Sequence, residues 1–132
     1  MDTADLYERG LKLRKEMFGP ETVERRMESL GDFGGPLQHI INAYIYGDVW
    51  SRPGLANKSR SLVMLAITAA SNRAPEFRVH VRGAITNGCS EDEVREVLLL
   101  VAMYCGVPAS IDAHRIALEV FREQAAARER GG

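Results

Sequence analysis

The sequence predicts an all-α domain, and three observations support this fold class. Apolar residues recur at helical spacing over most of the chain, and no segment shows the strict alternation typical of a half-buried strand. Glycine and proline clusters divide the chain into pieces of helix length. Ser90 and Glu93 have the spacing of a capping box, in which each side chain bonds the backbone N–H of the other residue. We therefore expect a compact bundle of six or seven helices.

The predicted helices are bounded by identifiable signals. In chain order they span about residues 3–16, 21–30, 36–46, 57–71, 75–87, 90–104 and 109–128. Gly-Pro at 19–20 separates the first two helices, and the glycine-rich stretch at 31–36 forms the clearest loop. Asn-Gly at 87–88 ends the fifth helix, and Gly-Val-Pro at 106–108 separates the last two. We find no internal repeat and no linker, so residues 1–132 are expected to form a single domain.

The composition excludes several classes of function. The 132 residues include 17 basic and 18 acidic side chains, with a net charge of −1. Neither nucleic acid nor an anionic membrane is expected as the main partner, because both favour a basic surface. The longest apolar runs are about half the ~20 residues of a membrane span, and no signal peptide is recognisable. We expect a cytoplasmic protein in which Cys89 and Cys105 are reduced thiols, and the spacing of possible ligands predicts no metal site.

Two predicted helical segments, 62–70 and 98–103, are apolar on all sides. Such a helix needs burial all round, and a bundle of this size can surround about one of them. The second helix is therefore expected to meet another subunit, which predicts an obligate oligomer. The alternative is a monomer in which loops cover both helices.

Glu76 and His80 are the first candidates for chemistry. They lie one turn apart near the start of the fifth helix, where Pro75 suits the first helical position. A hydrogen bond donated by His80 to the Glu76 carboxylate would orient the imidazole, and an oriented imidazole is suited to proton transfer near neutral pH. The alternative is a solvated surface pair. On a helical wheel both residues lie beside the apolar face formed by Phe77 and Val81, which favours a position at the wall of a pocket.

Lys58 and Arg60 are also unusual, because they fall in the first turn of the fourth helix. Cations oppose the helix dipole there by about 0.3–1 kcal/mol each. An anion bound at this position would explain them, with Arg60 as a two-pronged clamp on a carboxylate. The alternative is an exposed pair that bridges to a neighbouring acid.

A further set of side chains is open to two interpretations. Tyr104 and Cys105 could offer a hydroxyl and a thiol to a pocket or could pack at a helix end. Trp50 could wall a cavity or anchor a loop. His39 and His114 are interpreted as surface or packing histidines.

Together with these candidates, a set of short motifs resembles the carboxymuconolactone decarboxylase family, in order and at similar spacing from about residue 6 to 121. The motifs are Asp-Phe at 32–33, Gly-Asp-Val-Trp at 47–50, Arg-Pro-Gly-Leu at 52–55, Arg-Ser-Leu at 60–62, Asn-Arg at 72–73, Glu76, His80, Arg82, Asn-Gly at 87–88, Glu-Val-Leu at 96–98 and Tyr-Cys-Gly-Val-Pro-Ala at 104–109. The resemblance is greatest to the family's stand-alone 4-carboxymuconolactone decarboxylases. It implies an all-helical bundle like those of this family and its alkylhydroperoxidase relatives, assembled as a cyclic oligomer, a trimer or a hexamer.

The resemblance also implies a site and a reaction. The substrate would be a small anionic lactone or related carboxylate, decarboxylated with no cofactor or metal because the conjugated lactone accepts the electrons. His80 would be the general acid, or a donor to the enolate oxygen, and Glu76 would orient it, or the two roles would be exchanged. Arg60, with Arg73 or Arg82, would bind carboxylates. Trp50, Tyr104 and Cys105 complete the expected substrate-binding set.

Two departures refine this prediction. The peroxidase relatives use Cys-x-x-Cys-x-x-x-His, and alignment of their histidine with His80 places Arg73 and Glu76 at the cysteine positions, which excludes thiol peroxidase chemistry. Family decarboxylases usually carry Arg, His and Trp where this chain has Ala43, Tyr44 and Tyr46. A paralogue acting on another carboxylated lactone or β-keto acid, and a non-catalytic oligomeric ligand-binding protein, therefore stay open as alternatives.

Overall fold

The computed structural model describes residues 1–131, and every regular element in that part of the chain is helical. The α-helices are α1 (Thr3–Phe18), α2 (Pro20–Ser29), α3 (Gly35–Ile40), α4 (Asn57–Ala70), α5 (Ala74–Thr86), α6 (Glu91–Cys105) and α7 (Val107–Gly131). Short 3-10 turns occupy Asp32–Gly34 and Val49–Ser51. The predicted all-α class is confirmed. One predicted helix, 36–46, differs from the structure, because α3 passes into a π-helical segment at Ile41–Tyr46.

The chain forms two compact units, Met1–Asn57 and a second that begins at Lys58. The sequence contains no linker signal at this point, and α4 begins at Asn57. The single domain stays a prediction. The two units are described separately below.

In the first unit, α1 packs against the π-helical segment at very short range. A Cβ atom on Gly10 would overlap the carbonyl oxygen of Asn42, and one on Gly47 would overlap the carbonyl oxygen of Leu6. Both positions therefore require glycine. The N–H of Gly47 donates to the carbonyl oxygen of Asn42, five residues earlier, at 2.9 Å, which is the hydrogen bond of a π-turn.

A buried arginine connects α1 with α3 and the π-helical segment. Arg14 of α1 is 5% exposed and donates through Nη1 to Gln38 Oε1 at 2.8 Å and to Asn42 Oδ1 at 3.0 Å. Its guanidinium carbon lies 6.0 Å from the centre of the Tyr46 ring, within cation–π range. Burial raises the pKa of Tyr46 to about 12, so this neighbour stays a neutral phenol. The guanidinium is thus held by amide oxygens and a ring face.

In the second unit, α5 lies against α7 and contributes Phe77, Val81 and Ala84 to a common apolar core. The other buried residues of this core come from α4, α6, α7 and the turn before α6: Leu65, Ala69, Cys89, Val94, Leu98, Val101, Ala113, Ala117 and Val120. The alanines at these positions allow close helix contacts, while Phe77 and Leu65 fill the interior. The predicted apolar face of α5 is therefore confirmed.

The start of α6 is fixed by the predicted capping box. Glu93 N–H donates to Ser90 Oγ at 3.0 Å, and Ser90 N–H donates to Glu93 Oε1 at 2.9 Å. The second carboxylate oxygen of Glu93 lies 3.0 Å from Lys58 Nζ. The Ser90 N–H, and then the Lys58 ammonium, hold the pKa of Glu93 below its usual range.

The two all-apolar segments are not enclosed within the chain. Val63 and Ile67 of α4 are about half exposed, and on α6 Leu99 is 47% and Met103 81% exposed, while Val101 between them is buried. The expected oligomer and its monomeric alternative both stay predictions. Within residues 1–131, no helix combines the length and apolar character needed to cross a membrane.

Replacement of Arg14 tests its role in the first unit. Arg14→Ala removes the donor of two amide oxygens and leaves a cavity, so we expect the free energy of unfolding to fall by about 2–4 kcal/mol. Urea unfolding followed by circular dichroism measures this change. Arg25→Ala on the exposed face of α2 is the matched control and should change the value by less than about 0.5 kcal/mol. Equal stability of the two variants would contradict this role.

Candidate active site

The candidate site is organised by α5, whose sequence dictates where it begins and which face is buried. Pro75 occupies the first turn, and Glu76 is the acidic residue of that turn, facing the positive end of the helix dipole. Phe77 and Val81 are almost fully buried, and this fixes the rotation of the helix. His80 lies between Glu76 and Phe77 on the wheel, about 60° from Phe77, and is carried to the border of the core.

His80 is 8% exposed, and its Nδ1 is enclosed by protein atoms. Glu76, in contrast, is exposed, and its carboxylate forms no hydrogen bond or ion pair among the contacts of residues 1–131. The hydrogen bond by which Glu76 was expected to orient His80 is therefore not formed. The reason is the rotation of α5, because burial of Phe77 and Val81 turns His80 inward and leaves Glu76 outside.

Arg82 has a different environment from the one predicted. Its Nη2 donates to Glu123 Oε2 of α7 at 3.1 Å, and the neighbouring Arg78 pairs with Glu119 and Glu123. These ion pairs connect α5 with α7 along the solvent-exposed edge of the α5–α7 interface. Arg82 is thus occupied by a carboxylate of the protein, which makes it a weaker candidate for substrate binding.

On α4, the two cations of the first turn have different environments. Lys58 bridges to Glu93, as the alternative interpretation had it. Arg60 is half-buried, and the next residue, Ser61, is fully buried and accepts a hydrogen bond from Asn87 Nδ2 at 3.0 Å. This bond links the first turns of α4 to the end of α5. The sequence predicted Asn87 as a helix-end signal and as part of a family motif, and nothing in its spacing indicated this partner.

The remaining predicted residues of the second unit are exposed. Arg73 precedes α5, where its backbone N–H donates to Thr68 O at 2.9 Å, and it follows Asn72, whose φ of 57° is left-handed. Its side chain lines a small cavity of about 70 Å³ with Asp112. Tyr104 is 85% exposed and Cys105 is exposed, both at the end of α6. The structure does not bring these three residues together with His80.

Trp50 belongs to the first unit and is buried there. Its ring stacks on Tyr46 with 5.7 Å between ring centres, and it lines a cleft of about 510 Å³. None of the other predicted site residues lines this cleft. Two cations that the sequence analysis passed over, Arg9 and Lys12, do line it. Their spacing of three residues on one helix was the signal that could have found them.

The two cysteines are free thiols. Cys89 is buried, and its Sγ lies 3.5 Å from the carbonyl oxygen of Lys58. Burial raises the pKa of the Cys89 thiol, which disfavours the reactive thiolate. Among residues 1–131, no group of three or more His, Cys, Asp or Glu side chains could hold a metal ion.

Comparison with known proteins places this site within a family of all-α proteins. The sequence profile of the carboxymuconolactone decarboxylase family matches residues 35–119, which include His80, Glu76 and Arg60. The chain belongs to the carboxymuconolactone decarboxylase family. The match extends through both compact units.

Three relatives illustrate the range of the family. A 4-carboxymuconolactone decarboxylase from Acinetobacter baylyi is 40% identical over 130 residues, which cover 98% of this chain and 97% of that protein. A nitrosuccinic acid decarboxylase from Metarhizium robertsii is 42% identical over 108 residues, covering 82% of this chain and 76% of that protein. A 4-carboxymuconolactone decarboxylase from Pseudomonas putida is 35% identical over 48 residues, which are 36% of this chain and 100% of that sequence.

The link between α4 and α5 can be measured by a double-mutant cycle. Ser61→Ala and Asn87→Ala each remove one partner of the 3.0 Å hydrogen bond. We expect a coupling free energy of about 1 kcal/mol in urea unfolding, because the bond is partly buried and neutral. The pair Thr86→Ala and Asn87→Ala is the control. A coupling of zero between Ser61 and Asn87 would contradict the link.

Proposed function

We propose that this protein catalyses the cofactor-independent decarboxylation of 4-carboxymuconolactone to the β-ketoadipate enol-lactone. The observation that carries the proposal is the 40% identity to a decarboxylase of this substrate over nearly the full length of both chains. The buried histidine on α5 supports it, because the reaction needs a proton donor shielded from bulk water.

The chemistry explains why a small site is sufficient. The carboxylate that leaves is attached to the ring carbon next to the lactone oxygen. A carbon–carbon double bond lies between this ring carbon and the lactone carbonyl, and is conjugated with the carbonyl. As the carbon–carbon bond breaks, its electron pair moves through the double bond to the carbonyl oxygen and forms a dienolate. A proton then adds at the carbon next to the carbonyl. The protein must bind two carboxylates, stabilise the enolate oxygen and deliver one proton.

His80 is assigned as the proton donor, and the border of the core is a suitable place for it. An apolar wall beside His80 would weaken solvation of the departing carboxylate and favour neutral carbon dioxide. Glu76 does not bond His80, and its carboxylate is not engaged by other groups of residues 1–131. It is therefore assigned to proton exchange with the substrate or with His80 once the substrate is bound, rather than to the orientation of the resting imidazole.

Arg60 is assigned to carboxylate binding. It lies in the first turn of α4, where the dipole and the backbone N–H groups attract anions, and its guanidinium fits a carboxylate with two parallel bonds. Arg73 is exposed and is the second choice for this role. Arg82 is assigned to the α5–α7 ion pairs instead.

A second candidate substrate is supported by the relative that decarboxylates nitrosuccinic acid, which is 42% identical to this chain. A nitro group bonded to the carbon that loses carboxylate accepts the electron pair as a nitronate, so the same proton donor and arginine would serve. The altered residues Ala43, Tyr44 and Tyr46 also favour a test of both substrates. A paralogue with another carboxylated substrate is thus the runner-up.

Self-association of the chain is part of the proposal, and we propose the cytoplasm as the compartment of the protein. The exposed apolar side chains of α6, with those of α7 at Val107 and Ile111, form a surface that water solvates poorly. We assign this surface to contact with further copies of the same chain, in a trimer or hexamer.

The catalytic assignment predicts the effect of three substitutions. His80→Ala should lower kcat about 10²–10⁴-fold and Glu76→Gln should lower it to a smaller extent, while Arg60→Ala should mainly raise KM. Absorbance and carbon dioxide release with freshly generated 4-carboxymuconolactone measure these values, with nitrosuccinate assayed in parallel.

The exposed His114 on α7 provides the control, because His114→Ala should leave kcat and KM unchanged. Wild-type kcat in a folded His80→Ala variant would overturn the role of His80. Turnover of nitrosuccinate alone would favour the second candidate, and turnover of neither substrate would overturn both.

The assembly is tested on α6. Met103→Glu places a charge on the exposed apolar surface and should give a smaller species in size-exclusion chromatography with light scattering, because burial of that charge is unfavourable. Glu28→Lys changes an exposed charge on α2 of the first unit and should leave the mass unchanged. A monomeric wild type would contradict the proposal.

A further inference from the structure

The cleft in the first unit has the composition of a ligand site, although the proposed reaction does not use it. Its volume of about 510 Å³ lies within the range of small-molecule sites, about 300–1,000 Å³. α1 forms one wall, and the segment from Trp50 to Asn57 forms the other. Neither His80 nor Arg60 lines it.

The walls carry more positive than negative charge. Arg9, Lys12 and Arg52 line the cleft, and Glu16 is the one acidic side chain among its lining residues. Arg52 is held by Asp48 through two hydrogen bonds, at 2.8 Å and 3.2 Å, so this pair is neutral. Two cations of α1 therefore face one carboxylate.

Arg9 is positioned by the backbone and not neutralised by it. Its Nε donates to the carbonyl oxygen of Gly47 at 2.8 Å, and its Nη2 donates to the same oxygen. A carbonyl carries no net charge, so the guanidinium keeps its positive charge at the wall. Lys12 lies three residues further along α1 and forms no ion pair among the described residues. Like charges at this spacing repel each other, and a bound anion would relieve the repulsion.

The remaining surface of the cleft is largely apolar. Leu13, Trp50, Pro53 and Leu55 contribute to it, and the Trp50 ring is braced from behind by Tyr46. Trp50 is 5% exposed, whereas Pro53 is exposed and Leu13 is half-buried. An anion with an apolar body would bury surface of Leu13 and Pro53 while its charged group meets Arg9 and Lys12.

From this arrangement we propose that the cleft between α1 and residues 50–57 is a binding site for a small organic carboxylate with an apolar body, separate from the residues of the catalytic proposal. The carboxylate lies against Arg9 and Lys12, and the apolar body lies against Leu13 and Pro53, at the edge of the buried Trp50 ring. The site does not depend on which substrate the enzyme decarboxylates.

Trp50 provides a direct readout, because it is the only tryptophan in the sequence. The probe is cyclohexanecarboxylate, which does not absorb where tryptophan is excited, and the neutral control is cyclohexanecarboxamide. We expect saturable change of Trp50 fluorescence with the carboxylate, and a response at least about tenfold weaker with the amide, which lacks the charge. Inorganic phosphate should give no saturable change.

Matched variants locate the binding. Lys12→Met should weaken the affinity about tenfold, whereas Lys15→Met on the same helix should not, because Lys15 pairs with Glu24 and does not line the cleft. His80→Ala should bind the probe like the wild type. Circular dichroism of each variant verifies folding. No saturable response in the wild type, equal affinity of Lys12→Met, or loss of binding in His80→Ala would each overturn the proposal.

Discussion

The packing of α5 into the core of the second unit is the constraint on which the candidate active site depends. Burial of Phe77 and Val81 fixes the rotation of this helix about its axis. Rotation in either direction would expose these apolar side chains to water, at a cost of about 1.5–3 kcal/mol of folding free energy for each. Once that rotation is fixed, the positions of the polar residues follow. His80 lies at the border of the core, Glu76 faces out, and Arg78 and Arg82 meet the carboxylates of α7.

This constraint also separates two kinds of charged group. The ion pairs between α5 and α7 involve side chains that are about one-third to one-half exposed, so each contributes little to stability and mainly sets the alignment of the helices. Arg60 stays a candidate for the substrate because of its place in the first turn of α4. Arg78 and Arg82 instead support the packing of α5 on α7.

Much of this arrangement could be predicted from sequence because it depends on local rules. The capping box, the proline and acidic residue at the start of α5 and the Asn-Gly at its end depend on residues within a few positions of one another, and all were confirmed. The buried face of α5 followed from helical periodicity. The chemical roles of His80 and Arg60 stay predictions.

The features that were missed depend on partners distant in sequence. The Glu76–His80 contact has the correct spacing, yet the burial of neighbouring residues turns the two side chains apart. The π-helical segment could not be distinguished from an α-helix, because its apolar pattern fits both. Arg14 appeared to be one of many charged residues on an amphipathic helix, and its amide partners lie 24 and 28 residues away.

The glycine contact between α1 and the π-helical segment has a consequence for recognition. At Gly10 and Gly47 backbone meets backbone, with no side chain between them that could change rotamer. Gly10 follows Arg9 directly, and Gly47 is three residues before Trp50, so the same joint sets the spacing of the two walls of the cleft. The spacing of the walls is therefore set before a ligand binds. Binding then restricts the motion of the ligand but requires little additional ordering of the protein.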